Sequence, residues 1–191
     1  MLTELVYRRF SRPLAKLLSK TSITPNTVTY IATAVGLASA ALIAMREIYL
    51  GVLVLLISQI LDCTDGDLAR LTGRITKKGA YLDRVFDRFV DAAIVIGIVY
   101  LYPLYLWLAG FLAAVGSFGV SITRAMAEAE GAECKVGIGG RDTRLAIIMV
   151  GLVVGHAMQK EVFIYSLTLW VIAILGFITT FHRMIHTIKQ L

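Results

Sequence analysis

The residues able to do chemistry lie together in one polar stretch of an otherwise apolar chain, Leu61 to Arg88, which reads LDCTDGDLARLTGRITKKGAYLDRVFDR. Asp62 and Asp65 are three residues apart and Asp83 and Asp87 four apart, so two adjacent helices would present two facing pairs of carboxylates. Four acids gathered in this way repel one another unless a divalent cation joins them. Carboxylates supply the hard oxygens that Mg²⁺ takes, with Mn²⁺ as a substitute. At about 100° per residue, Asp62, Asp65, Gly66 and Ala69 share an arc of about 100°, and Gly79, Asp83 and Asp87 one of about 80°. Glycine and alanine beside the acids let a flat ligand approach the backbone closely.

These residues also spell a signature. The pattern D-x2-D-G-x2-A-R-x8-G-x3-D-x3-D is met at every position by Asp62, Asp65, Gly66, Ala69, Arg70, Gly79, Asp83 and Asp87. On it the chain resembles the CDP-alcohol phosphotransferases, and within them the branch of phosphatidylinositol-phosphate and archaetidylinositol-phosphate synthases. The resemblance implies a six-helix membrane enzyme that moves a substituted phosphate from a CDP-alcohol to a second alcohol and releases CMP. It implies that Asp62, Asp65, Asp83 and Asp87 bind two metal ions and that Asp87 is also the general base. An acceptor hydroxyl with a pKa of roughly 15 needs such a base, since it is a poor nucleophile at neutral pH. Arg70 would reach the pyrophosphate as a charged fork, while Gly66, Ala69 and Gly79 leave room for the cytidine. Asn26, Thr29 and Thr76 match family positions near the first span and in the linker, and with Asp62 they complete the expected CDP-alcohol site.

Elements of two kinds must position these groups. Hydrophobic residues make up 58% of the 191, and the mean hydropathy of +0.76 lies well above that of a soluble domain. The expected fold is an all-α integral membrane protein, a single domain over 1–191. It has a juxtamembrane amphipathic helix in 1–22 and a bundle of six transmembrane helices in 26–183, with both termini cytoplasmic. In the first part Val6, Tyr7, Phe10, Leu14, Leu17 and Leu18 share a face opposite Arg8, Arg9, Arg12, Lys16 and Lys20, the pattern of a helix lying on a membrane surface. Six spans are expected at about 27–45, 48–70, 79–100, 104–127, 142–158 and 162–181, the last followed by a short basic tail. Ala32, Gly36 and Ala40 mark a close packing face on the first span, and Gly151 with Gly155 marks one on the fifth.

The charges sort by membrane side. Of the 19 Lys and Arg residues, 17 fall in 1–26, 70–88, 124–144 and 183–191, leaving Arg46 and Lys160. By the positive-inside rule that side is cytoplasmic, so the acids of a multi-pass cell-membrane protein would open to the cytoplasm. A formal charge of +6 invites nucleic acid, but this distribution argues against it. Cys63 and Cys134 are too far apart in sequence to suggest a framework.

A second basic group, Arg124, Lys135, Arg141 and Arg144, lies on the same side as the acids. Its surroundings, Ser121 to Gly131 and Arg141 to Arg144, resemble the regions that bind the acceptor phosphate in family members with phosphorylated acceptors; simple topology charges are the alternative. The expected acceptor is therefore a phosphorylated polyol, inositol 1-phosphate ahead of glycerol 3-phosphate, with serine left open. The expected donor is a CDP-alcohol, most simply a CDP-linked lipid, and the other partners are membrane lipids and a second copy in a homodimer. Asp67 and Asp91 fall outside the signature and read as solvated groups or supports of the ligands. His156, His182 and His186 form no constellation with one another. From another class of function, the same acids could line a small divalent-metal transporter.

Overall fold

Thr24 starts the first long helix, since its side chain accepts a hydrogen bond from the Thr27 amide at 3.3 Å and Pro25 occupies the first helical position. There a missing N–H costs nothing and φ is already helical. The computed structural model describes residues 7–191, so Val6 and the expected helix before it lie outside the described residues. The helices are α1 (Arg8–Leu18), α2 (Pro25–Ala44), α3 (Ile48–Leu71), α4 (Lys77–Leu101), α5 (Pro103–Ala129), α6 (Arg141–Ala157) and α7 (Glu161–Ile188), with no strand among the described residues. They gather into two compact units that divide between Gly97 and Ile98.

Four helices, α2, α3, α5 and α7, are long and apolar enough to cross a membrane. The other two expected spans are present as helices of a different quality. The N-terminal part of α4 carries Asp83, Asp87 and Asp91 among basic residues, and α6 has only 17 residues. At 1.5 Å per residue that is about 26 Å, against a hydrocarbon core of about 30 Å.

In the first unit, the packing face on α2 is buried at Ala32, Gly36 and Ala40. Helices in lipid gain little from burying apolar surface against one another, so close approach through small residues matters more. A Cβ at Gly36 would stand 2.8 Å from a Val90 methyl and 2.9 Å from Ser58 Oγ. Hydroxyls tie the same helices together: Ser58 donates to the Ala32 carbonyl at 2.9 Å and Ser39 to that of Gly51 at 2.8 Å.

Helix α1 has three faces rather than the two read from sequence. Tyr7, Ser11 and Ala15 are buried, and Ala15 meets Leu68 of α3 and Val28 of α2. Phe10 and Leu17 remain exposed, as do Arg9, Arg12 and Lys16. Ser11 and Ala15 seat the helix, which leaves Phe10 and Leu17 uncovered beside the basic stripe.

In the second unit α5 and α7 touch backbone to backbone, since a Cβ at Gly176 would stand 2.8 Å from the Gly116 carbonyl carbon. Gly151 and Gly155 of α6 lie against Thr168 and Tyr165 of α7, so this GxxxG pair packs inside the unit. His156 does have a partner: its Nδ1 lies 2.6 Å from Glu161 Oε1, while Tyr102 donates to Glu161 Oε2 at 2.5 Å. The tail expected after Phe181 is helical to Ile188. Buried Arg183 explains the extension, because it donates to the carbonyls of Val136, at 2.9 Å, and of Val120, and so ties this turn to the α5–α6 loop.

Candidate active site

The site is built where α3 ends and α4 begins. Helix α3 stops at Leu71, and Gly73 with φ +66° takes the left-handed conformation that reverses the chain. Thr76 then caps α4, its Oγ1 accepting from the Gly79 amide at 3.0 Å. The linker thus turns the polar ends of both helices toward one another.

Carboxylate oxygens of Asp62, Asp83 and Asp87 come within 4.8 Å of one another. Six-coordinate Mg²⁺ with oxygens at about 2.1 Å sets neighbouring ligand oxygens about 3 Å apart and opposite ones about 4.2 Å apart. Small rotations of half-buried carboxylates close that difference, and an all-oxygen set suits a hard cation, so the residues fit a divalent metal. Asp65 is the buried member of the four. Its Oδ2 accepts from Thr29 Oγ1 at 2.5 Å, and the charges of Asp62 and Asp83 act on it. Asp87 also meets Arg88, Nη2 to Oδ2 at 3.4 Å.

Beside the acids opens a cavity of about 300 Å³. Nine expected residues line it: Asn26, Thr29, Asp65, Gly66, Ala69, Arg70, Thr76, Gly79 and Asp83. Asp83 belongs both to this wall and to the carboxylate trio, so ligand space and acids are continuous. A Cβ at Gly79 would stand 3.0 Å from Asn26 Oδ1 and 3.1 Å from Thr76 Oγ1, so a side chain here would crowd the wall. Over Gly66 lies the Arg70 guanidinium, whose Nη2 would be 3.4 Å from a Cβ at that position.

The sequence missed Pro25, Arg74, Ile75 and Ala80 in this wall. Arg74 had a signal available, since it sits in the linker between Arg70 and the Thr76 cap. Asp67, read as solvated or supporting, is buried and accepts from Ser11 Oγ at 2.6 Å and Arg70 Nη2 at 2.7 Å.

The basic group of the second unit already has partners. Arg124 Nε lies 2.8 Å from Glu128 Oε1, and Lys135 Nζ lies 4.0 Å from Glu133. Arg144 is buried and donates to the Gly139 carbonyl at 2.6 Å, bracing the start of α6 where Arg141 is the first residue. Gly139 is held from its other side by Thr179, whose Oγ1 accepts from its amide at 2.9 Å.

Residues 22–181 match the family model of the CDP-alcohol phosphatidyltransferases. The archaetidylinositol phosphate synthase of Methanothermobacter thermautotrophicus is 34% identical over 186 residues, 97% of this chain and 92% of the relative. Two crystal structures of the Mycobacterium tuberculosis phosphatidylinositol phosphate synthase share the fold. The one with CDP-DAG bound superposes with a TM-score of 0.84 at 28% identity, covering 94% of each chain. The complex with manganese and citrate gives 0.82 at 29% identity, covering 93% of this chain and 88% of that one. An eight-residue signature that folds into an acid trio and an adjoining cavity, within a chain matched along most of its length, leaves no place for a metal transporter: the protein is a transferase and belongs to the CDP-alcohol phosphatidyltransferase family.

Proposed function

We propose that the chain transfers the substituted phosphate of a CDP-linked lipid to the hydroxyl of a phosphorylated polyol, inositol 1-phosphate in preference to glycerol 3-phosphate, with release of CMP. The observation that carries this reading is the convergence of Asp62, Asp83 and Asp87 at the wall of a cavity that Asp83 itself helps to form. The names of the similar synthases and the CDP-DAG in one of their structures support the choice of donor and acceptor.

Asp62, Asp65, Asp83 and Asp87 would hold two divalent ions, Mg²⁺ by preference, with Mn²⁺ supported by the manganese complex of the neighbour. Bound there, the ions would neutralise charge on the two phosphates as CMP leaves. Arg70 extends a guanidinium fork to the pyrophosphate, and the small residues Gly66, Ala69 and Gly79 leave room for the cytidine in the cavity they line. Asp87 accepts the proton of the acceptor hydroxyl as it attacks the β-phosphate; its carboxylate is half-buried and stands with the others at the trio. Arg124, Lys135, Arg141 and Arg144 are the residues assigned to the acceptor phosphate. For Arg124, Lys135 and Arg144 the phosphate would share or replace the partners named above.

The family match runs through both units, which supports one membrane domain. We take it to cross the cell membrane six times with the acids and both termini in the cytoplasm, and to work as a homodimer. An assay of CMP release from CDP-diacylglycerol against a panel of acceptors tests the assignment. Inositol 1-phosphate should turn over fastest and free inositol, glycerol and serine slowest. Equal rates on inositol 1-phosphate and free inositol would overturn it.

A further inference from the structure

Asp67 occupies a position that the signature leaves open, yet it is 7% exposed and both its oxygens are used. Oδ2 accepts from Ser11 Oγ of α1 at 2.6 Å, and Oδ1 accepts from Arg70 Nη2 at 2.7 Å. Ser11 is fully buried. The Arg70 side chain, by contrast, is 54% exposed. A long cation of that exposure would ordinarily sample many rotamers. Exposed pairs three residues apart on a helix restrain it little. Here the acid end of the pair is itself fixed by a bond from another helix, and the guanidinium rests on the bare backbone of Gly66 at the cavity wall.

The contact that fixes Asp67 belongs to the seat of α1. Ala15, Leu68 and Val28 form a buried cluster one residue along from Asp67, with Leu18 and Ile23 packed on it. Seating α1 therefore brings the Ser11 hydroxyl to Asp67, and a charge-assisted hydrogen bond joins the two.

We propose that Asp67 is a positioning residue: held by Ser11, it aims the Arg70 guanidinium at the cavity, so the seating of α1 on α3 sets affinity for the anionic donor. The proposal rests on the reading of this cavity as the donor site. Ser11 and Asp67 touch no substrate in it, and both act through Arg70.

The test uses the full chain in detergent–lipid micelles, with equilibrium binding of CDP-diacylglycerol and CMP release measured on Ser11→Ala, Asp67→Ala, Arg70→Gln and the Asp67→Ala/Arg70→Gln double variant. Donor Kd should rise about threefold or more in Ser11→Ala and about tenfold in Asp67→Ala, while acceptor KM and kcat at saturating donor change less than about twofold. In the Arg70→Gln background Asp67→Ala should weaken the donor by less than about twofold further, because the group it positions is gone. An undiminished Asp67→Ala effect in that background, or a lowered melting temperature with unchanged donor Kd, makes Asp67 a structural residue only and overturns the proposal. No change of donor Kd in Arg70→Gln alone would strike the donor reading of the cavity first, and the proposal with it. Should Asp67→Ala not fold, Asp67→Asn, which keeps the shape and removes the charge, carries the same comparison with Arg70→Gln.

Discussion

Three carboxylates held within 4.8 Å of one another carry a mutual repulsion that a divalent cation would relieve, which is why each is expected to matter for binding a cation as well as for turnover. Replacing Asp62 or Asp83 by Asn removes a charged ligand and keeps the shape. Mn²⁺ binding read by electron paramagnetic resonance should weaken at least about tenfold, and CMP release should fall with it. Normal Mn²⁺ affinity in both variants would show that the trio is not the metal site. Asp87→Asn should behave differently, because a general base contributes typically about 10²- to 10⁴-fold to rate. We expect kcat to fall by at least about 10²-fold while donor Kd moves by less than about tenfold; parallel losses would remove its separate role. The acid pairs of α3 and α4 were legible because helical spacing sets each pair on one face, and the family signature joined the two pairs across the linker. Asp67 and Arg183 were not, since their partners lie 56 and 63 residues away in sequence and no local pattern encodes such a bond.

Helices are where the sequence reads best, because an apolar run bounded by Pro25, Arg46, Gly73 or Pro103 leaves little freedom about where an element starts. What the pattern did not reveal was which face of α1 packs. Its large apolar residues suggested one face, yet of these Phe10 and Leu17 are exposed, while Ser11 and Ala15 are the ones that meet α3. Small residues pack helices closely in lipid, and hydrophobicity then points outward. The same logic gives a prediction for α4. Alanine at Gly79 adds helix propensity worth up to about 1 kcal/mol in a helix interior, so the melting temperature should hold or rise. Yet the new Cβ would stand 3.0 Å from Asn26 Oδ1 and intrude on the cavity wall. Donor affinity should therefore drop several-fold in Gly79→Ala, and more in Gly79→Val, measured as Kd for CDP-diacylglycerol. A Gly79→Val variant that binds donor normally would show that the close approach at Gly79 is not part of the donor site.

For the molecule as a whole, crossing number is the question on which charge and length pull apart. Under the proposed six crossings every Lys and Arg except Arg46 and Lys160 falls on one side, whereas among the described residues α2, α3, α5 and α7 alone are apolar and long enough by themselves. Helix α6, at about 26 Å, falls short of the hydrocarbon core, and α4 must accommodate acids in its first half. Local thinning of the bilayer and the polar flanks of α6 can offset a mismatch of a few ångströms at a fraction of a kcal/mol per ångström, and of the acids of α4 Asp83 and Asp87 belong to the trio while Asp91 lies 3.9 Å from Arg88. Single cysteines at two exposed positions decide the matter, Leu104 at 86% and the Glu133 side chain at 84% exposure, in a background where Cys63 and Cys134 are replaced. With six crossings Leu104→Cys reacts with a membrane-impermeant maleimide in intact cells, and Glu133→Cys reacts only after permeabilisation. Four crossings reverse both outcomes, because α4 and α6 then return the chain to the side from which it came. Arg46→Cys, outside in either arrangement, controls for access. The expected result is the first, since the second would leave Lys135, Arg141 and Arg144 outside the cell, against the rule that places basic loops within.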